Sequence, residues 1–219
     1  SALQFKVPLF MFGEVSWDIS GMFSINDYSE FNKRTVLEHD MRGFLKEDFL
    51  NKENLSKRDV AWYSLPDDKV YFDNKLKGIY LGNFVKWDPY KQTNLMKQLY
   101  NWQESKEPFE RTYRKISNLD DMHENGIHDY LKYIKFGYGR ATDHACKDIR
   151  AKKLTRLEAI KLVKKYDHIR PKDLKRWLEY VGWSEEKFDE VTDKFRDPRT
   201  WWIKNGKWWK HDVWGGESE

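Results

Sequence analysis

YLKYIKFGYGRATDHACKDIR, residues 130–150, runs an aromatic-basic helical pattern into a Gly-x-Gly turn and out into a second polar segment. Gly137 and Gly139 bracket Tyr138, and Lys132, Lys135, Arg140, Lys147 and Arg150 crowd around them. Glycines let a backbone turn tightly and approach a ligand, and cations supply charge for phosphate or carboxylate. If the residues before Gly137 are helical, Lys132 and Lys135 lie three apart on one face. Thr142 or Asp143 is placed to cap the next helix, whose free N–H groups beside Arg140 would suit an anion. A solvated helix-turn-helix corner fits the same residues equally well, and spacing alone does not separate the two.

Helical signals continue on both sides of this corner. Asp88 followed by Pro89 gives an N-cap and a first-turn proline, with Leu95, Met96, Leu99 and Trp102 at helical spacing. Thr155 and Glu158 form a capping box. Pro171 marks a helix start, and Leu174, Trp177, Leu178 and Val181 make an apolar stripe closed by Gly182. Ser184 caps a further helix with Phe188, Val191 and Phe195 turned inward and Pro198 as its stop. The tail, RTWWIKNGKWWKHDVW, places Asn205-Gly206 between tryptophan pairs and reads as a hairpin or loop packed over the helices. Its alternating rings and cations also suit base stacking or sugar contact, with packing the better account.

The first residues read differently. Residues 7–12 form a compact strand ending at Gly13-Glu14, residues 15–75 show few clean periods, and KGIYLGNFV alternates like a strand. The expected fold is mainly α with a minor α/β portion, divided as residues 1–20, the tail of an α/β domain, 21–87, an irregular aromatic-rich region, and 88–219, a helical domain.

Composition narrows the function classes. With 219 residues, 39% hydrophobic and 16% aromatic, the chain has material for a core and is not disordered throughout. No apolar run approaches a membrane span and no secretory leader pattern opens the chain. One cysteine, Cys146, excludes an internal disulfide and a multi-cysteine zinc site, so a cytoplasmic location is expected. Residues 130–170 hold twelve Lys/Arg and four Asp/Glu, although the whole chain carries only +4. Such a block attracts anionic partners or simply solvates a helical surface. A non-catalytic module that binds nucleic acid or anionic partners through this segment is the alternative function. No Walker loop, HExxH or catalytic triad order occurs, and Thr142 stands where a dinucleotide fingerprint needs glycine. His123 and His128, near Glu124 and Asp129, are better explained by capping than by metal, and no metal site is expected among the side chains.

KFGYGRATDHACKDIR followed by LTRLEAIKLVKKYD resembles the C-terminal signature of the N-acetyl sugar amidotransferases, lipopolysaccharide-biosynthesis proteins related to PP-loop ATP pyrophosphatases. VPLFMFGE, YLGNFVKWDPYK, NGIHDYLKY and EEKFDEVTDKFRDPRTW are similar to other parts of that family. The resemblance implies a helical region attached to the remnant of a PP-loop type α/β domain. It further implies conversion of a sugar acetamido group to acetamidino on a nucleotide-linked N-acetyl sugar. ATP with Mg2+ would activate the amide oxygen, and ammonia would arrive from glutaminase and cyclase-like subunits. Carried over residue by residue, Lys135 and Arg140 would contact phosphate. Asp143 would orient Arg140 or approach magnesium, and Glu14 would face the nucleotide or the acetamido group. Lys132, His128 and Arg150 are further substrate- or phosphate-binding candidates. The SGGxDS loop and the cysteine-rich segment of the family would precede this sequence, so a complete ATP site is not expected from this chain alone. No nucleic-acid partner follows from the resemblance.

Overall fold

The computed structural model describes residues 2–13, 30–31, 37, 41, 43–50, 54–64, 67, 69–70, 75–85, 88–116 and 125–218. The chain divides into two units, Ser1–Gln98 and Leu99–Glu219. Described residues are mainly helical with two small sheets.

In the first unit, strands β1 (Leu9–Phe12), β2 (Glu30–Phe31) and β3 (Lys77–Tyr80) form one sheet in the order β1-β3-β2. β1 runs parallel to β3 with Phe12 opposite Tyr80, while β2 runs antiparallel to it. The strand expected over KGIYLGNFV therefore stops at Tyr80 and turns into a 3-10 segment, Leu81–Asn83. Helix α1 (Lys46–Leu50) and the 3-10 turn Ala61–Tyr63 are short, as the weak periodicity of this region implies. Helix α2 (Pro89–Tyr100) begins where Asp88 and Pro89 place it, the Asp88 carboxylate accepting from the N–H groups of Tyr90 and Lys91 at 3.1 and 3.2 Å. Leu95 and Leu99 on this helix are exposed.

The second unit packs α3 (Asn125–Phe136), α4 (Arg140–Arg150), α5 (Arg156–Tyr166), α6 (Leu174–Val181) and α7 (Glu185–Asp193) with a sheet of β4 (Trp201–Lys204), β5 (Lys207–His211) and β6 (Glu217–Ser218). Its core has two centres. Ile127, Leu174, Leu178 and Phe188 join α3, α6 and α7, flanked by Tyr130, Leu131 and Trp177. Ala141 and Ala145 meet Ala159 and Val163 across α4 and α5, where small side chains one turn apart let two helices approach closely. No helix among the described residues is long and apolar enough to cross a membrane.

Local signals set most of these boundaries. The capping box at Thr155 and Glu158 is complete, with both reciprocal bonds made. Gly182 ends α6 at φ 69°, and the Trp183 N–H reaches back to the Leu178 carbonyl at 3.0 Å, the bond of a Schellman ending. Ser184 caps α7 through the Lys187 N–H. Asn205 and Gly206, at φ 53° and 75°, form the two-residue turn between β4 and β5, as a hairpin of primed type requires. Two expectations shift. Pro171 opens a turn rather than the helix itself, which starts at Leu174. Phe195 is 58% exposed, because α7 ends at Asp193 and the helical period that would turn Phe195 inward is not continued.

These positions predict different costs. Phe188→Ala should destabilise the second unit by about 3–5 kcal/mol, whereas Phe195→Ala should cost no more than about 0.5 kcal/mol. Urea unfolding of the two variants checks the contrast; equal losses would contradict the packing described.

Candidate functional site

The glycine turn at residues 137–139 is built as the sequence implies, but the charges of Lys132 and Arg140 beside it are spent within the protein. Gly137 has φ +76°, and a Cβ there would lie 2.5 Å from Thr200 Cγ2, so the position admits glycine on two counts. Gly139 is the N-cap of α4. Thr142 and Asp143 lie inside the first turn and do not cap it. The free N–H groups are instead taken by Asp167, from the end of α5. Its carboxylate accepts from the Gly139 N–H at 2.8 Å, the Thr142 N–H at 3.2 Å and the Thr142 hydroxyl at 2.6 Å. The anion that a helix N-terminus attracts is thus supplied by the fold itself.

The cations of the corner are paired in the same way. Arg140 makes a two-pronged ion pair with buried Asp129, Nε at 3.0 Å from both carboxylate oxygens and Nη2 at 2.6 Å from one. Desolvation opposes the Arg140 charge and Asp129 more than offsets it, so its pKa lies above the ordinary value. Asp129, not Asp143, orients Arg140; Asp143 is bonded to Lys132. Lys132 also lies over the Tyr138 ring, 4.8 Å from its centroid. His128 is exposed, with Nδ1 3.1 Å from Asp129. Lys135 sits at the exposed end of α3 over the Phe136 ring, and Arg150 lies at the exposed end of α4. Lys132, Arg140, Asp143 and His128 are thereby brought to one corner, with Lys135 and Arg150 towards the ends of its two helices. Glu14 lies outside the described residues, as does His123.

Nothing in the spacing of the sequence marks the segment at residues 111–114. Arg114 pairs with buried Asp148 at 2.6 Å, and the Tyr113 hydroxyl donates to the same carboxylate at 2.5 Å. Thr112 Oγ1 stands 2.6 Å from His144 Nδ1. Burial, reinforced by the Arg114, Arg140, Lys147 and Lys132 cations, holds His144 neutral with its pKa pushed down to about 2. Only a partner 32 residues away reveals this histidine as part of the corner.

Behind the corner lies a cavity of about 340 Å³ whose lining includes Tyr133, Thr142, His168, Lys210, Asp212 and Trp214. Lys210 is buried, bonded to Asp212 at 2.7 Å, and Asp212 also accepts from the Ser218 hydroxyl at 2.7 Å. The Lys210 ammonium lies 6.0 Å from the Tyr133 ring centroid and 5.7 Å from that of Trp214, and Lys164 is 5.4 Å from Trp214. Burial, then Asp167, pushes the Tyr133 phenol up to about 12, so it stays a neutral donor. The cavity therefore offers hydroxyls, both signs of charge and an indole within one unit.

The segment that builds this corner and one side of this cavity also carries the likeness to a known family. Residues 107–213 match the family model described as LPS biosynthesis protein WbpG-like, C-terminal domain. Over these residues the chain is similar to the WbpG-like family. No curated protein matches the chain. The WbpG-like domain carries a role in lipopolysaccharide biosynthesis and agrees with the resemblance seen in KFGYGRATDHACKDIR. It covers all five helices of the second unit and both strands of the tryptophan hairpin.

The magnesium nucleotide that the resemblance implies is assigned to none of the described residues of this domain. No group of three His, Cys, Asp or Glu among them is arranged to hold a metal ion. The helix N-terminus that would receive a phosphate is already filled by Asp167.

The neutral state of His144 has a measurable consequence. Its folded pKa lies below the unfolded value near 6.5, so the unfolded chain binds the proton more readily. The resulting stability is intact above pH 6.5 and is lost as pH falls towards the folded value. Between pH 6.5 and 5 the loss should be roughly 2 kcal/mol. His144→Gln should flatten that part of the stability profile in urea unfolding, and an unchanged slope would contradict the assignment.

Proposed function

We propose that this chain is the C-terminal part of an N-acetyl sugar amidotransferase of surface-polysaccharide biosynthesis, and that the cavity beside the glycine turn receives the sugar ring of a nucleotide-linked substrate. The observation that carries this reading is the cavity lining. Its volume, about 340 Å³, lies in the range of small-molecule sites. It juxtaposes an indole with hydroxyl donors, an ammonium and carboxylate acceptors, a mixture that suits a ring bearing hydroxyls and an amide rather than a simple ion. Tyr133, Gly137 and Thr142 of the family-like segment form one side of it.

In this reading the chain binds and orients the acetamido sugar. Lys210 and the Tyr133 hydroxyl donate, and Asp212 accepts and holds the Lys210 ammonium in place. Lys135 and Arg140 are proposed to meet the substrate's phosphates, with His128, Lys132 and Arg150 as neighbouring contacts. Glu14 is proposed for the reacting end, and Asp143 for holding Lys132 beside the phosphates. Activation by MgATP is assigned to no described residue. Glutaminase and cyclase-like partners would supply ammonia, and the α/β portion that opens the chain would belong to a PP-loop type domain.

The test is binding. Saturation-transfer NMR with UDP-N-acetylglucosamine should show contact at the N-acetylhexosamine ring, and methyl N-acetylglucosaminide should compete. Trp214→Leu and Ser218→Ala should each weaken binding about tenfold, equivalent to ~1.4 kcal/mol. Binding that neither substitution alters would remove the cavity from the substrate site.

A further inference from the structure

Helix α4 carries a second polar face on the side away from the cavity. Arg140, Asp143, His144 and Lys147 recur at i, i+3, i+4 and i+7 and form one stripe, whereas Thr142, which lines the cavity, lies on the other side of the helix. Three cations at this stripe have acids of their own: Arg140 has Asp129, Lys132 has Asp143 and Arg114 has Asp148. Lys147 is different. It is half-buried, and among the described residues no acid lies within ion-pair distance of it. Burial, followed by the Arg114, Arg140 and Arg150 charges, pushes its pKa down against the pull of Asp143, which is already committed to Lys132.

His144 stands next to it with one nitrogen engaged. The Thr112 hydroxyl oxygen accepts from the Arg114 N–H at 3.4 Å and lies 2.6 Å from His144 Nδ1. With the Thr112 hydroxyl donating to Nδ1, the ring proton sits on Nε2, and this is the tautomer assigned here. His144 and Lys147 are both partly exposed residues. A half-desolvated ammonium without a counter-ion beside a neutral N–H donor is an arrangement that an oxyanion completes. The anion would supply the missing charge to Lys147 and accept from Nε2.

We infer that Lys147 and His144 form a binding site for a phosphoryl-type dianion, with Lys147 as its charge and His144 Nε2–H as its directional donor. Arg114 and Arg140, locked to their acids, shape the surrounding potential and do not need to move. The site stands on the face of α4 opposite the cavity and does not rest on the assignment of that cavity to a sugar.

The experiment titrates the whole chain at pH 7 with inorganic pyrophosphate and follows the His144 ring resonances by NMR. A saturable shift at His144 is expected. Lys147→Gln should weaken it at least tenfold, while Lys175→Gln, a surface change on α6, should leave it unaltered. Uridine diphosphate should shift the same resonances, and methyl N-acetylglucosaminide, which has no phosphate, should not. The inference is overturned if pyrophosphate fails to move the His144 resonances, or if the two lysine variants weaken the shift equally, which would reduce the effect to general surface charge. Lys147 makes no ion pair with a described residue, so Lys147→Gln should fold like the parent chain, and a matching unfolding midpoint confirms that the lost shift reports binding.

Discussion

The second unit depends on one buried guanidinium. Arg111 is almost fully covered, and its donors reach the backbone carbonyls of Asp167 and Ile169, with Asp129 O at 3.4 Å. Its plane lies 5.1 Å from the Tyr130 ring centroid and 5.8 Å from that of Tyr133. The irregular segment before α3, the middle of α3 and the turn after α5 are thus tied by a single side chain. Burial lowers its pKa and the nearby Asp167 and Asp129 carboxylates counter that effect. A lysine could not replace it, since a point charge has no planar fork to serve several carbonyls at once. The turn that Arg111 fixes is the one that carries Asp167, so the cap on α4 inherits its position from this contact.

That inheritance explains why the glycine corner does not act as an open helix N-terminus. Gly139 lacks a Cβ because Asp167 Oδ1 would lie 3.0 Å from one and Arg111 Nη2 3.3 Å, so the glycine is there for the protein's own carboxylate and guanidinium. Spacing alone leaves an external anion and a solvated corner equally open. Packing adds a third answer, an internal anion held by an internal cation. Low dielectric makes such pairs costly to leave unmatched, and each acid at the corner accordingly has a cation or a set of N–H donors.

Elements whose signals are local are legible in the amino-acid order alone. The capping box at Thr155, the Gly182 ending and the Asn205-Gly206 hairpin follow from backbone chemistry within a few residues, and each is found at the residues that encode it. Phe195 departs from its helical period because α7 stops at Asp193, and apolar spacing does not mark that stop. The electrostatics of the site are not legible, and the reason is distance along the chain. Arg114 and Asp148 are 34 residues apart and Arg111 and the Asp167 carbonyl 56, so nothing in residues 130–150 reveals which cations are already neutralised. In the sequence Lys147 is one positive charge among several, and its lack of an acid among the described residues emerges only once the others have found theirs.

The tryptophan tail makes the same point from the opposite direction. Its alternation of rings and cations suits a stacking surface, yet the Arg196 guanidinium lies 4.3 Å from the Trp201 ring centroid and 4.7 Å from that of Trp208, and Tyr133 meets Trp201 edge-on at 5.5 Å. The cross-strand pairing sets Lys210 beside Trp201 on the inner face, where it closes the cavity over Tyr133. The hairpin therefore acts as a wall, and α4 is the partition between what that wall encloses and the cationic stripe outside. Ala141 and Ala145 hold this partition tightly against Ala159 and Val163 of α5, so the two faces of α4 are presented by one packed helix rather than by a loop.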